Sequence, residues 1–233
     1  MSHGLHKLLL SNNILSTELL YSTNGYDKMR PKIVRLFDYY VWFKKNWAKI
    51  GFILAIYLFT LLIFVVRHCN FVLFVLLLHT PVYMLHQTEE YVFPGGFREF
   101  FITKIYGLSK NARVSSDDFI FYLNVILIWI VLPTFAILST MDYAYGLWIP
   151  YFSLFAGVAH VALSIKARTV YNPGLVVSLV LNIPIGLWSI IYLKNIGLLD
   201  DPLLNPYMAI GLAINMTLPV LGVIMYKRYM RRT

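Results

Sequence analysis

The sequence predicts an all-α fold, a polytopic membrane helix bundle with six transmembrane helices and both termini cytoplasmic. Three observations predict it. Of 233 residues, 59% are apolar and only 13% are charged, giving a mean hydropathy of +0.66. The charges gather between long uncharged runs, a distribution that a water-soluble core of this size would not accommodate. The basic residues also fall almost entirely on one set of connecting segments. Read in windows of about 20 residues, the chain offers candidate spans at 50–66, 71–93, 119–141, 147–165, 174–193 and 207–226.

Residues 1–49 form a basic arm without the apolar core and small-residue cleavage site of a signal peptide. Its later part mixes Ile33, Val34, Phe37, Trp42 and Trp47 with Lys32, Arg35, Lys44 and Lys49, which suits an amphipathic helix lying among lipid headgroups, as an anchor or as a flap over a site. The six-span domain follows at 50–226. Its first two spans are separated by Arg67, His68, Cys69 and Asn70, enough for a tight antiparallel turn. Pro81, Pro133, Pro184 and Pro219 fall inside spans two, three, five and six. Neighbouring helices can satisfy the backbone groups they release, and kinks there leave room for a cavity. A basic tail, 227–233, closes the chain.

With an even number of spans, the arm and tail lie on one side. They share it with Arg98, Lys104, Lys110, Arg113, Lys166 and Arg168, leaving Arg67 and Lys194 opposite, so that side is expected to be the cytoplasm. Topology and anionic membrane lipids account for the net charge of +9 without nucleic acid. The single cysteine, Cys69, excludes an intrachain disulfide and a thiolate cluster, so any metal must be held by nitrogen and oxygen.

His86-Gln87-Thr88-Glu89-Glu90 lies at the end of a stretch with no other Asp, Glu, Lys or Arg between Phe71 and Phe97. Ionisable groups inside a span are costly and point to function. His86, Glu89 and Glu90 sit three and four residues apart and are expected to form one polar stripe, extended by His79. At a rise of about 1.5 Å per residue, His160, Asn124 and Asn182 on three other spans reach a similar depth. Two adjacent carboxylates in low dielectric require a cation or strong donors, and a bound divalent ion is the simplest compensation. His86, His160 and Glu90 supply two nitrogens and one oxygen, the ligand set of several zinc hydrolases, with iron the other candidate ion. Glu89 is then the expected general base, and exchanging the two glutamates' roles also fits. Absence of other span carboxylates argues against a four-carboxylate di-iron centre.

Turns with Pro and Gly flank this level, at Tyr91-Val92-Phe93-Pro94-Gly95-Gly96 and at Tyr171-Asn172-Pro173-Gly174. Turn chemistry explains both, and their amides with Arg98 and Arg168 make a phosphate headgroup a candidate ligand. Asn172, Asn124, Asn182, His79 and Arg98 are the expected supporting or substrate-contacting residues. The resulting expectation is a metal-dependent hydrolase acting on a lipid or lipid-linked substrate from the cytoplasmic leaflet. Rival readings are a metal-independent glutamate protease within the membrane, a small transporter using His79, His86, Glu89 and Glu90, and a structural protein.

Residues 86–90 resemble the motif of the HXXEE membrane protein family, with His160 and Tyr171-Asn172-Pro173-Gly174 as further family positions. The resemblance implies a multi-pass protein of the bacterial cytoplasmic membrane with a metal or catalytic site, and it carries no particular reaction. Glu89-Glu90, Arg98, His160 and Asn182 are also similar in order to the CAAX-type intramembrane proteases. There the arginine lies closer to the paired glutamates and no histidine precedes them.

Overall fold

A computed structural model describes residues 26–232, with side chains from Leu36 onward. The first 25 residues of the arm, with His3, His6 and Lys7, lie outside the described residues. The described residues divide into two compact units, one up to Asn46 and the other from Trp47 onward. The described residues contain helices and turns and no strand. Among the described residues, six helices are long and apolar enough to cross a membrane: α1 (Leu36–Cys69), α2 (Phe71–Tyr91), α3 (Asp117–Leu138), α4 (Tyr143–Ala167), α5 (Leu175–Asn195) and α6 (Pro206–Met230). Large apolar side chains such as Ile53, Phe64, Ile130, Val180 and Val220 are exposed on five different sites of these helices, as contact with hydrocarbon requires.

Local chemistry sets the helix ends. The four-residue turn expected after the first span is shorter in the structure. Arg67–Cys69 is still helical, and Asn70 alone breaks the chain, with φ −152° and its side chain accepting from the Leu73 amide at 2.9 Å. Ser116 likewise caps α3 through the Phe119 amide, and Asn205 caps α6 through Met208, followed by Pro206 at the first helical position. Wide helical turns at Val125–Val131 and Ser178–Asn182 directly precede the segments containing Pro133 and Pro184. A proline cannot donate to the ladder and crowds the carbonyl four residues earlier, which such a turn relieves.

The most enclosed helix is α2, with 72% of its apolar window buried, against 11% for α6. This explains why the span carrying the charges is tolerated: protein surrounds it. Tyr83 of α2 stacks on Phe152 of α4 at 5.1 Å, and Gln87 accepts from Trp129 Nε1 and donates to Asn124 Oδ1, tying α2 to α3. Trp47 packs against Tyr91, Phe121 and Trp129 on the same side. Between α2 and α3, the turn expected at 91–96 closes α2 and leads into a short helix, Phe97–Phe100, continued by a wide turn, Phe101–Ile105.

Small residues allow close crossings. A Cβ on Gly211 would stand 2.7 Å from Tyr151 Cβ, 2.8 Å from the Phe152 nitrogen and 2.9 Å from the Trp148 carbonyl oxygen, so α6 meets the backbone of α4 there. One turn on, Asn215 Nδ2 donates to the Phe152 carbonyl at 3.4 Å. Gly222, whose added Cβ would meet only the Tyr106 hydroxyl at 2.8 Å, faces the end of a side chain that can swing away. Gly211→Ala is expected to cost about 1–3 kcal/mol and Gly222→Ala less, read as thermal unfolding midpoints in detergent. Equal shifts would contradict the crossing.

Candidate metal centre

Successive residues on a helix point about 100° apart, and this separates the two glutamates. The structure does not place His86, Glu89 and Glu90 on one stripe. His86 and Glu90 share a face of α2, whereas Glu89 turns toward the start of α5. All three are buried.

Glu90 Oε1 lies 3.6 Å from His86 Nε2 and 3.4 Å from His160 Nε2. The two imidazoles meet edge to face, with centroids 4.5 Å apart. Both Nε2–Oε1 separations exceed the roughly 2.7–2.9 Å of a charge-assisted hydrogen bond. They match the edge of a tetrahedron whose donors stand about 2.0–2.2 Å from a zinc ion, roughly 3.3–3.6 Å. One donor atom from each of His86, Glu90 and His160 lies within 4.8 Å of the other two. This buried cluster is therefore able to hold a metal ion.

The ring nitrogens pointing away from Glu90 are held by their surroundings. Asn172 Nδ2 donates to the His160 carbonyl at 2.8 Å and to Ser164 Oγ at 2.7 Å, which turns its Oδ1 toward His160 Nδ1 at 2.7 Å. With only an acceptor facing it, Nδ1 carries the proton and Nε2 keeps its lone pair. His86 follows the same logic more loosely. Ser178 Oγ donates to the Gly174 carbonyl at 2.6 Å, leaving its lone pairs to accept from His86 Nδ1 at 3.4 Å. Both imidazoles thus present an Nε2 lone pair toward Glu90.

Gly174 closes the arrangement. Its φ of +99° suits glycine. An added Cβ would lie 2.5 Å from His160 Cε1 and 3.0 Å from His86 Cε1. Backbone at the start of α5 is therefore packed directly on both rings.

Glu89, the expected general base, faces three donors at the start of α5. Its Oε1 accepts from Tyr171 Oη at 3.1 Å and the Val176 amide at 3.0 Å, and its Oε2 accepts from the Val177 amide at 2.7 Å. The carboxylate caps α5, taking amide donors that the helix itself leaves unpaired. Burial, with the adjacent Glu89 carboxylate, pushes the Tyr171 phenol above its ordinary range, so it remains a donor.

Other sequence candidates stand apart from the donor group. His79 is fully buried and its Nε2 meets Ser189 Oγ at 3.1 Å. Asn182 donates to Ser153 Oγ at 3.2 Å. Asn124 bonds Gln87, and Arg98 donates to Asp117 Oδ1 and the Ser115 carbonyl, each at 2.9 Å. Asn124 and Arg98 do line a cavity of about 390 Å³ whose wall also includes His86, Glu90 and His160. The rest of that wall is mainly apolar, from Tyr83, Phe101, Leu163 and Pro219 among others. Sequence reasoning missed Ser178 and Ser164, since single serines in an apolar run leave no periodic signal, and it missed the short helix at 97–100. The one available sign of that helix was the Phe97 and Phe101 spacing of four.

Glu89→Ala leaves two amides at the start of α5 without their acceptor and is expected to destabilise the protein by about 2–3 kcal/mol. Glu89→Gln, which keeps one acceptor oxygen, should lose less. Thermal unfolding in detergent measures both, and an unchanged midpoint for the alanine variant would refute the cap.

No curated protein and no solved structure matches the chain, and none supports the likeness to CAAX-type proteases. One family model does match, over residues 77–189, described as protein of unknown function with HXXEE motif. That segment, just under half of the chain, holds His86, Glu89, Glu90, His160, Asn172 and Gly174 together, and over it the chain is similar to the HXXEE-motif family.

Proposed function

We propose that the protein is a metal-dependent hydrolase of the membrane, acting on a lipid or lipid-linked substrate. The single observation that carries the reading is the pair of Nε2–Oε1 separations, 3.4 and 3.6 Å, at the wall of a mainly apolar cavity. Zinc suits two imidazoles and a carboxylate best, with iron the other candidate. Such an ion supplies a Lewis acid and makes water nucleophilic near neutral pH.

The chain's own residues do the rest. His86 and His160 offer Nε2 because Ser178 and Asn172 hold their Nδ1 protons. Glu90 provides the anionic donor and offsets the ion's charge in a setting of low dielectric. Glu89 is occupied by the α5 amides, so the water's activation rests on the donor cluster without a second carboxylate beside it. The apolar wall excludes bulk water and accepts hydrocarbon, supporting a lipid over a polar solute. The basic residues flanking the same ends of α2, α4 and α6 support a cytoplasmic opening, with both termini on that side.

Elemental analysis of detergent-purified protein tests the reading. Wild type and Glu89→Gln are expected to hold near-stoichiometric metal, while His86→Ala, His160→Ala and Glu90→Gln lose it. Metal-free wild type after purification in zinc-supplemented, chelator-free buffer would overturn the proposal and favour a metal-independent glutamate protease or an ion pathway.

A further inference from the structure

The cavity beside His86, Glu90 and His160 carries charge of mostly one sign. Among its lining residues Glu90 is the sole carboxylate, and Arg98 and Lys166 are the two Lys or Arg side chains. Arg168, which the sequence paired with Arg98, is not on this wall; it ends α4 in the left-handed conformation with φ 53°. Lys166 occupies the last turn of α4, six residues beyond His160. The structure thus brings one cation from the short helix after α2 and one from α4 to the cavity that holds the donor cluster.

Arg98 is held in place. Its Nη1 donates to Asp117 Oδ1 and its Nη2 to the Ser115 carbonyl, while Nε is out of contact with solvent and has no partner among the described residues. Buried donors are ordinarily satisfied, and an anionic oxygen is the natural acceptor for this one. Asp117 offsets part of the guanidinium charge from outside the cavity wall, but Lys166 has no ion pair among the described residues. With a divalent ion on the donor cluster, Glu90 is outweighed and the cavity is cationic. Its remaining wall includes Phe97, Phe101, Leu163, Leu218, Pro219 and Met225, a surface for hydrocarbon.

We propose that the occupant of this cavity is a membrane lipid with a phosphate headgroup, the phosphate held by Arg98 and Lys166 and the hydrocarbon by the apolar wall. The proposal deepens the hydrolase reading by naming its substrate class, and it rests on that reading only for the role of the donor cluster. Guanidinium and ammonium groups recognise phosphate through charge-assisted hydrogen bonds, and neither would favour an uncharged or cationic head.

The test uses full-length protein in dodecyl maltoside micelles, which carry no phosphate, with added zinc. Binding of fluorescent phosphatidate is compared with that of the matching diacylglycerol, with metal content measured on the same samples. Phosphatidate is expected to bind at least tenfold more tightly. Lys166→Gln, an exposed position where folding is not at stake, should remove most of that preference while leaving diacylglycerol binding and metal unchanged. Arg98→Gln should do the same, with its melting midpoint checked because Arg98 also bonds the Ser115 segment. No preference in wild type, or a preference intact in Lys166→Gln, overturns the proposal. Inorganic phosphate that binds in a Lys166-dependent manner while phosphatidate shows no preference overturns the lipid as its source. A Lys166-dependent preference in protein that holds no metal supports this proposal and overturns the metalloenzyme reading.

Discussion

Three donors on one carboxylate hold the start of α5 against α2. Glu89 accepts from the amides of Val176 and Val177 and from the Tyr171 hydroxyl, and much of the candidate metal centre hangs from that junction. Within five residues of it lie Asn172, which orients His160, Gly174, which packs on both imidazoles, and Ser178, which faces His86. One helix start therefore positions two histidines that arise from different helices. Placing a carboxylate at a helix N-terminus satisfies amides that nothing else in an apolar bundle would satisfy.

Adjacent glutamates in hydrocarbon pose an electrostatic problem, and this chain solves it twice by different means. Glu89 is compensated by fixed dipoles and a phenol. Glu90 faces two imidazoles whose outward nitrogens are already engaged, so its compensation depends on what the two Nε2 atoms bind. Helical geometry makes the division possible, since neighbouring positions diverge by about 100°. The first arrangement is complete within the chain and structural; the second is open toward a cavity.

Much of this was legible in the sequence. The six helices follow from hydropathy, because runs of about 20 apolar residues have few alternatives in a bilayer. Their ends were less legible: Asn70, Ser116 and Asn205 are single polar residues whose capping role depends on backbone conformation. The meeting of His86, Glu90 and His160 followed from depth along antiparallel helices. Glu89's role did not, because its partners are backbone amides, which every residue but proline carries and which sequence therefore cannot distinguish. Gln87 was equally silent: its bonds to Asn124 and Trp129 require the azimuth of α3, and hydropathy carries no such angle.

Gly174 contributes to the centre by what it lacks. The five residues of the motif name only one wall of the centre, on α2. The opposing wall is a stretch of main chain, and the absence of a side chain is its contribution. A sequence could keep the motif and His160 intact yet carry alanine at this position, and the rings would have no room for their present packing. In this chain the centre is thus written in two places: a string of functional groups at 86–90, and an Asn-Pro-Gly at 172–174 whose last letter encodes empty space.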